Sequence, residues 1–238
     1  MLQEHPNLVT LVATYYYKKG YYLLFPWASG GNLREFWTRG PLDGPEFKLW
    51  VAEQCVRLAN GLAKIHDCSA AVRDEEKDCG LHGDIKPENI LCFEDPDTKL
   101  GDLRISDFGL TDFHSRLTKS QITPTRANSP TYAAPEIALG KHLSRRYDIW
   151  GLGCVFLEMI VWIILGQRGL DNFEQSRLNE QDQDIPRVTQ DNFFKIKTVH
   201  GVKTARVKES VRNVMLPFPF LSSKMALHCP YKRPVSSP

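Results

Sequence analysis

The chain has 238 residues, 42% hydrophobic and 24% charged, which gives room for one well-cored domain or two small lobes and argues against a disordered chain. With 30 Lys and Arg against 28 Asp and Glu, the formal net charge of +2 provides no strong field for nucleic acid or a membrane surface, and neither is expected as a partner. The six cysteines form no C-x-x-C pair and no metal-ligand spacing, so a reducing cytoplasmic or nuclear compartment is expected.

No basic region followed by an apolar core opens the chain, so no secretory signal is read. Leu8–Ala13 and Tyr21–Phe25 are β-prone apolar runs on either side of Lys18-Lys19-Gly20, and together they predict an antiparallel pair. Pro26 to Gly31 is a breaker-rich connector, and Asn32 with Glu35 three residues on predicts a capping box. Apolar residues at 47, 50, 51, 55, 58, 62 and 65 predict a helix over Phe47–His66. Asp67–Gly80 reads as a charged surface loop. Ile90–Phe93 and Leu103–Ser106 read as two short strands joined by a turn.

Thr111–Pro130, rich in Ser, Thr and Pro, reads as a long exposed loop. The apolar run Ile149–Leu165 falls short of the roughly 20 residues a bilayer needs and contains Glu158, so a buried core helix over Tyr147–Leu165 is expected. Asp171–Asp191 is acidic and polar and reads as a surface insertion. After Asn192 the chain is rich in Lys and Arg, with Phe218, Phe220 and Leu221 expected to pack.

Chemistry concentrates in two segments. Leu81-His82-Gly83-Asp84-Ile85-Lys86-Pro87-Glu88-Asn89 offers an acidic base, a lysine and an amide, and Asp107-Phe108-Gly109 adds a second carboxylate. These groups can activate a hydroxyl, neutralise a phosphate and hold a divalent cation, which points to phosphoryl transfer. The small hairpin between the segments brings Asp84 and Asp107 toward one ligand.

The order H-x-D-x-K-x-x-N, D-F-G, A-P-E resembles the eukaryotic protein kinases. It is carried here by His82, Asp84, Lys86, Asn89, then Asp107-Phe108-Gly109, then Ala134-Pro135-Glu136. Asp148-Ile149-Trp150-Gly151-Leu152-Gly153 matches the start of the family's central large-lobe helix. Pro230 to Pro234 is similar to its D-P-x-x-R-P, with Cys229 where Asp is usual, and His5 to Val9 is similar to its H-P-N-I-V loop. The resemblance implies an α+β protein-kinase-like fold, with a mostly helical large lobe and only the last strands of the small lobe. Residues 1–27 would be the small-lobe remnant and hinge start, and 28–238 the large lobe, with an insertion at 171–191.

By the same resemblance the cofactors are ATP and Mg2+, and the substrate is a protein Ser or Thr hydroxyl, because a lysine two residues after the catalytic Asp marks the serine/threonine type. Asp84 would orient the substrate hydroxyl, Lys86 would face the γ-phosphate, and Asn89 and Asp107 would hold magnesium. Phe25, Pro26 and Ala28 would form the adenine-contacting hinge, Asn32 would lie near the ribose, and Leu91 would belong to the same nucleotide site. A packed strand end is the other reading of Phe25–Ala28. His82 and Phe108 would pack in the regulatory spine with Leu11, Asp148 would bond catalytic-loop backbone, and Glu136 would pair with Arg233.

The sequence also departs from the family. Gly83 replaces the arginine that usually pairs with an activation-loop phosphate, so activity independent of that phosphate is expected. The H-G-D triplet also occurs in aminoglycoside- and choline-phosphotransferase-like kinases, which lack A-P-E and the Asp148-x-Trp150 helix start. An H-G-D-I-K-P-E-N loop with a long insertion after the central helix resembles fungal protein kinases. No G-x-G-x-x-G and no V-A-I-K lysine precede the hinge, and the regulatory helix with its glutamate is missing, so N-terminal truncation is expected. Two functions follow: a serine/threonine protein kinase, weak or inactive as this chain, or a non-catalytic kinase-like binding module.

Overall fold

The computed structural model describes residues 5–67, 79–97, 100–107, 112–114 (backbone alone), 130–180 and 190–216. It is mostly helical with a few short strands, the architecture of a protein-kinase-like large lobe preceded by a β-hairpin. The hairpin pairs β1 (Ala13–Tyr17) with β2 (Gly20–Leu24), Ala13 opposite Leu24 and Tyr17 opposite Gly20. Lys18 and Lys19 turn the chain with φ of 44° and 64°, the left-handed conformation that a tight hairpin turn needs.

The strand expected at Leu8–Ala13 is not formed as such. Only Ala13 joins the hairpin, while Leu8 bridges Ile105 in parallel. Val9 N–H donates to Ile105 O and Ile105 N–H to Asn7 O, each at 2.9 Å. Burial decides this: Leu8 packs into the main core, in van der Waals range of Gly61, where an added Cβ would stand 3.3 Å from Leu8 Cδ2. Leu11 is 44% exposed, and Phe108, its expected neighbour in a spine with His82, lies outside the described residues.

Helix α1 (Leu33–Trp37) opens with the predicted capping box: Asn32 Oδ1 accepts from Glu35 N–H at 3.0 Å and Glu35 Oε2 from Asn32 N–H at 3.1 Å. Helix α2 (Pro45–Ile65) follows the expected apolar period, with Pro at its first turn. The core lies between these helices and α4 (Arg146–Asn179), where the rings of Phe36, Phe47, Trp50 and Trp162 meet and Trp162 Nε1 donates to Trp37 O at 2.7 Å. Strands β4 (Ile90–Glu94) and β5 (Gly101–Ile105) form the predicted hairpin, fixed to α2 by Gln54 Oε1, which accepts from Leu103 N–H at 2.9 Å. Between them and α2, β3 (Cys79–Leu81) pairs with β6 (Asp112–His114), a strand inside what reads as loop in sequence. A short α3 (Pro135–Ala138) precedes α4.

Helix α4 extends well past Leu165, with a break at Gly166, whose φ of 65° and ψ of −166° are not helical. Its apolar length matches a membrane span, yet half of that apolar window is buried inside the protein, and Asp148 and Glu158 are buried with it. It is a core helix. The reading of Asp171–Asp191 as a surface segment is corrected for its first part: residues 171–179 continue α4 and bury Phe173 and Arg177. Polar composition misled there because the buried polar group is an arginine whose charge is matched by Glu158. The basic stretch after Asn192 forms an unforeseen hairpin, β7 (Phe194–Val199) with β8 (Val202–Val207), followed by α5 (Glu209–Met215). Alternating burial of Phe194 and Ile196 is what pins it to the core. Phe218, Phe220, Leu221 and Arg233 lie outside the described residues, as do Phe108 and nearly all of Thr111–Pro130.

Candidate active site

The loop between β3 and β4 carries the predicted acid, lysine and amide, and the fold brings them together. Lys86 Nζ lies 2.6 Å from Asp84 Oδ2. Asn89 Nδ2 donates to the same oxygen at 3.0 Å and to Asp84 O at 2.8 Å. Asp84 and Asn89 are nearly buried while Lys86 is partly open, so the carboxylate is held by protein and reached from one side. Both bonds use Asn89 Nδ2, so neither occupies its Oδ1.

Two features fix the loop. Asp148, fully buried at the start of α4, accepts from His82 N–H through Oδ2 and Gly83 N–H through Oδ1, each at 2.8 Å. His66, at the end of α2, reaches Asp148 Oδ2 at 2.8 Å through Nε2. Gly83 has φ of 83°, a conformation that a Cβ disfavours, which gives a backbone reason for glycine at this position. His82 is buried: its Nδ1 takes the Asp84 N–H at 3.3 Å, so Nε2 is the protonated nitrogen and donates to Ser106 O at 2.8 Å.

Ser106 joins the two predicted segments. Its N–H and Oγ both donate to Asn89 O, at 2.8 and 2.9 Å. Asp107 follows directly, exposed and with φ of 59°, a left-handed conformation that aspartate tolerates better than most residues. Asn89 and Asp107 thus lie at the same end of the β4–β5 hairpin, flanking the Ile90–Ile105 pair. An amide oxygen and a carboxylate are hard oxygen donors, and this donor set suits magnesium.

Along the connector before α1, Gly30 N–H donates to Cys92 O at 3.0 Å and Cys92 N–H to Gly31 O at 2.8 Å, which with the bridge between Asn32 and Leu91 places Leu91 beside the connector. The approach is close: a Cβ on Gly30 would stand 2.8 Å from Cys92 Sγ. Phe25 is exposed and Pro26 partly so. Ala28 O accepts from Gly31 N–H at 3.1 Å, and Asn32 Oδ1 is committed to its cap.

Sequence reasoning passed over a polar chain next to this loop. Glu158, buried in α4, receives Arg177 Nη2 at 3.0 Å and Tyr132 Oη at 2.7 Å. Burial pushes the Glu158 carboxyl above its ordinary value, against the pull of Arg177. Arg177 is sandwiched by Phe173 and Phe193, its carbon centre 4.2 and 4.3 Å from their rings, and its Nε donates to Asp191 O at 2.7 Å. Arg34 closes the chain, donating to Tyr132 Oη at 2.7 Å and Glu88 Oε1 at 3.0 Å. The signal in sequence was Glu158 alone in an apolar run, since such a charge needs a partner. Glu136 is partly buried, and its expected partner Arg233 falls outside the described residues.

With this geometry in place, the chain belongs to the Protein kinase domain family, which matches residues 1–229. It is similar to the serine/threonine-protein kinase shk1/pak1 of Schizosaccharomyces pombe, 28% identical over 158 residues, covering 66% of this chain and 21% of that protein. It is similar to the probable LRR receptor-like serine/threonine-protein kinase RPK1 of Arabidopsis thaliana, 32% identical over 66% of this chain and 26% of the relative. The MAP kinase kinase kinase wis4 of Schizosaccharomyces pombe is 33% identical over 168 residues, 11% of its own length. The matched stretch is thus a minor part of each of these proteins.

Proposed function

We propose that the chain carries the catalytic loop of a serine/threonine protein kinase that transfers the γ-phosphate of ATP to a protein Ser or Thr hydroxyl. The observation that supports it is the shared oxygen: Asp84 Oδ2 is met by Lys86 Nζ at 2.6 Å and Asn89 Nδ2 at 3.0 Å. In this reading Asp84 accepts the hydroxyl proton as that oxygen attacks phosphorus, and Lys86 places its charge beside the transferring phosphoryl group. Asn89 Oδ1 and Asp107 would hold magnesium, which neutralises phosphate charge when bound. Phe25, Pro26 and Ala28 would face the adenine, with Asn32 and Leu91 beside the sugar and ring. Residues 1–27 then serve as the small-lobe side and hinge, and 28–238 as the large lobe.

The reading extends to type and setting. The fungal-like assignment rests on the H-G-D-I-K-P-E-N loop of the sequence, since the similar kinases come from fungi, a plant and animals alike. Cys55, Cys92 and Cys154 are free thiols, in keeping with a cytoplasmic or nuclear compartment. The second reading, a non-catalytic kinase-like binding module, draws on the sequence: no Gly-rich phosphate loop and no V-A-I-K lysine lie within the 238 residues. The two separate in a magnesium-ATP assay on a generic Ser/Thr substrate. Little turnover is expected from the 238 residues alone. Fusion to a small-lobe segment bearing the phosphate loop and lysine is expected to restore turnover that Asp84→Asn removes. If the fused protein stays inactive, the binding-module reading holds.

A further inference from the structure

A cation from the protein itself occupies the acidic ground beside the catalytic loop. Arg34, in the first turn of α1, donates through Nε to Glu88 Oε1 at 3.0 Å and through Nη2 to Tyr132 Oη at 2.7 Å. Its guanidinium carbon stands 5.7 Å from the centre of the Trp37 ring. The Tyr132 hydroxyl donates a hydrogen bond to Glu158 Oε2 at 2.7 Å, so its oxygen serves Arg34 as an acceptor. Glu88 sits between Lys86 and Asn89 in the short turn Pro87–Asn89. Glu88 and Tyr132 therefore meet at one guanidinium, and Glu158 in the middle of α4 is linked to it through Tyr132.

We propose that Arg34 is an internal occupant of an acidic subsite next to the catalytic loop, and that it turns substrate choice away from a cationic side chain there; this rests on the kinase reading of Asp84. The Arg34 and Glu88 side chains are 40% and 42% exposed, so a bound peptide can reach this point from solvent. While Arg34 is in place, an incoming arginine meets a fixed like charge and acceptors that are already taken. Without Arg34, a carboxylate and a phenol oxygen remain at the two ends of a space that held one guanidinium fork.

The test uses ethylguanidinium as the probe on the whole chain, with Arg34→Ala, Arg34→Met and Arg34→Ala/Glu88→Gln. Arg34→Met keeps an aliphatic stem over Trp37 and secures the measurement should the alanine variant fold poorly. Saturable binding, followed by calorimetry or NMR, is expected in Arg34→Ala or Arg34→Met and at least about tenfold weaker in the parent and the Glu88→Gln double variant. Equal binding by parent and variants, no binding by either single variant, or binding that survives Glu88→Gln would overturn the proposal. In a phosphorylation arm, the variants fused to the small-lobe segment should gain a preference for arginine over norleucine near the acceptor serine, absent in the parent. If no fused protein phosphorylates any peptide, the kinase reading fails, and the binding arm alone decides the role of Arg34.

Discussion

Asp148 Oδ2 and the His82 N–H stand 2.8 Å apart, so the first turn of α4 holds the loop that carries Asp84. The same carboxylate takes the Gly83 N–H and reaches His66 Nε2. Helix α4 thus anchors the loop, and the position of Asp84 depends on a buried carboxylate behind it. Asp148→Ala would leave the buried His82 and Gly83 N–H groups unmet, and is expected to cost about 3–5 kcal/mol, read as a shift in urea midpoint. His66→Ala removes one contact from the edge of the same group and is expected to cost about 1 kcal/mol.

For the proposed chemistry, Asp84→Asn in a fusion that carries the phosphate loop is expected to lower turnover by about 10²–10⁴-fold. KM for ATP should change far less, because the carboxylate acts on the hydroxyl. A fall in ATP affinity equal to the fall in turnover would count against that assignment.

The Glu158–Arg177 pair is buried on both sides, at 2% exposure each. Arg177→Met alone would leave Glu158 buried with only Tyr132 for a partner, a loss of about 3–5 kcal/mol. Replacing both, as Glu158→Leu/Arg177→Met, should recover most of it, measured as a double-mutant cycle.

Glu180 accepts from Lys195 Nζ at 2.7 Å, Glu209 N–H at 2.8 Å, and Ser210 N–H and Oγ at 2.9 Å each, so it caps the start of α5. Burial raises its carboxyl, but the bonds from Lys195, Ser210 and Glu209 outweigh that and bring it down to about 2. A depressed folded value means that the stabilisation is complete above the ordinary value of 4.5 and fades as pH falls toward about 2. Glu180→Gln should flatten this acid limb of the stability profile. An unchanged profile between those pH values would refute the capping role.

Gly83→Ala places a Cβ at φ of 83° and is expected to cost about 1 kcal/mol or more without breaking the Asp148 bonds. Changing Ser115, Thr118, Ser120, Thr123 and Thr125 together to alanine should leave activity of the fused protein in place, since no arginine at 83 awaits a phosphate. Complete loss of activity would show that this loop controls the site by another route.

Local pattern carried the elements whose partners are near in sequence. The Asn32–Glu35 cap, the period of α2 and the β4–β5 hairpin each follow from neighbours a few residues apart. The β-propensity of Leu8–Ala13 says nothing about which strand it meets, and Ile105, the partner of Leu8, lies about a hundred positions away. Over residues 171–179 composition is a poor guide to burial, because an acidic segment can still bury an arginine when Glu158 is there to pair with it.

Asp84, Lys86, Asn89 and Asp107 are legible from the chain alone, because an acid, a cation and an amide in one short run, with a D-F-G triplet after it, form a local pattern. What holds and surrounds them comes from folding: His66 and Asp148 behind the loop, Ser106 across the hairpin, and Arg34 lodged between Glu88 and Tyr132. Those contacts join residues 17 to 98 positions apart, and a hydrogen bond at 2.7–3.0 Å depends on where folding brings two groups, which no local periodicity records.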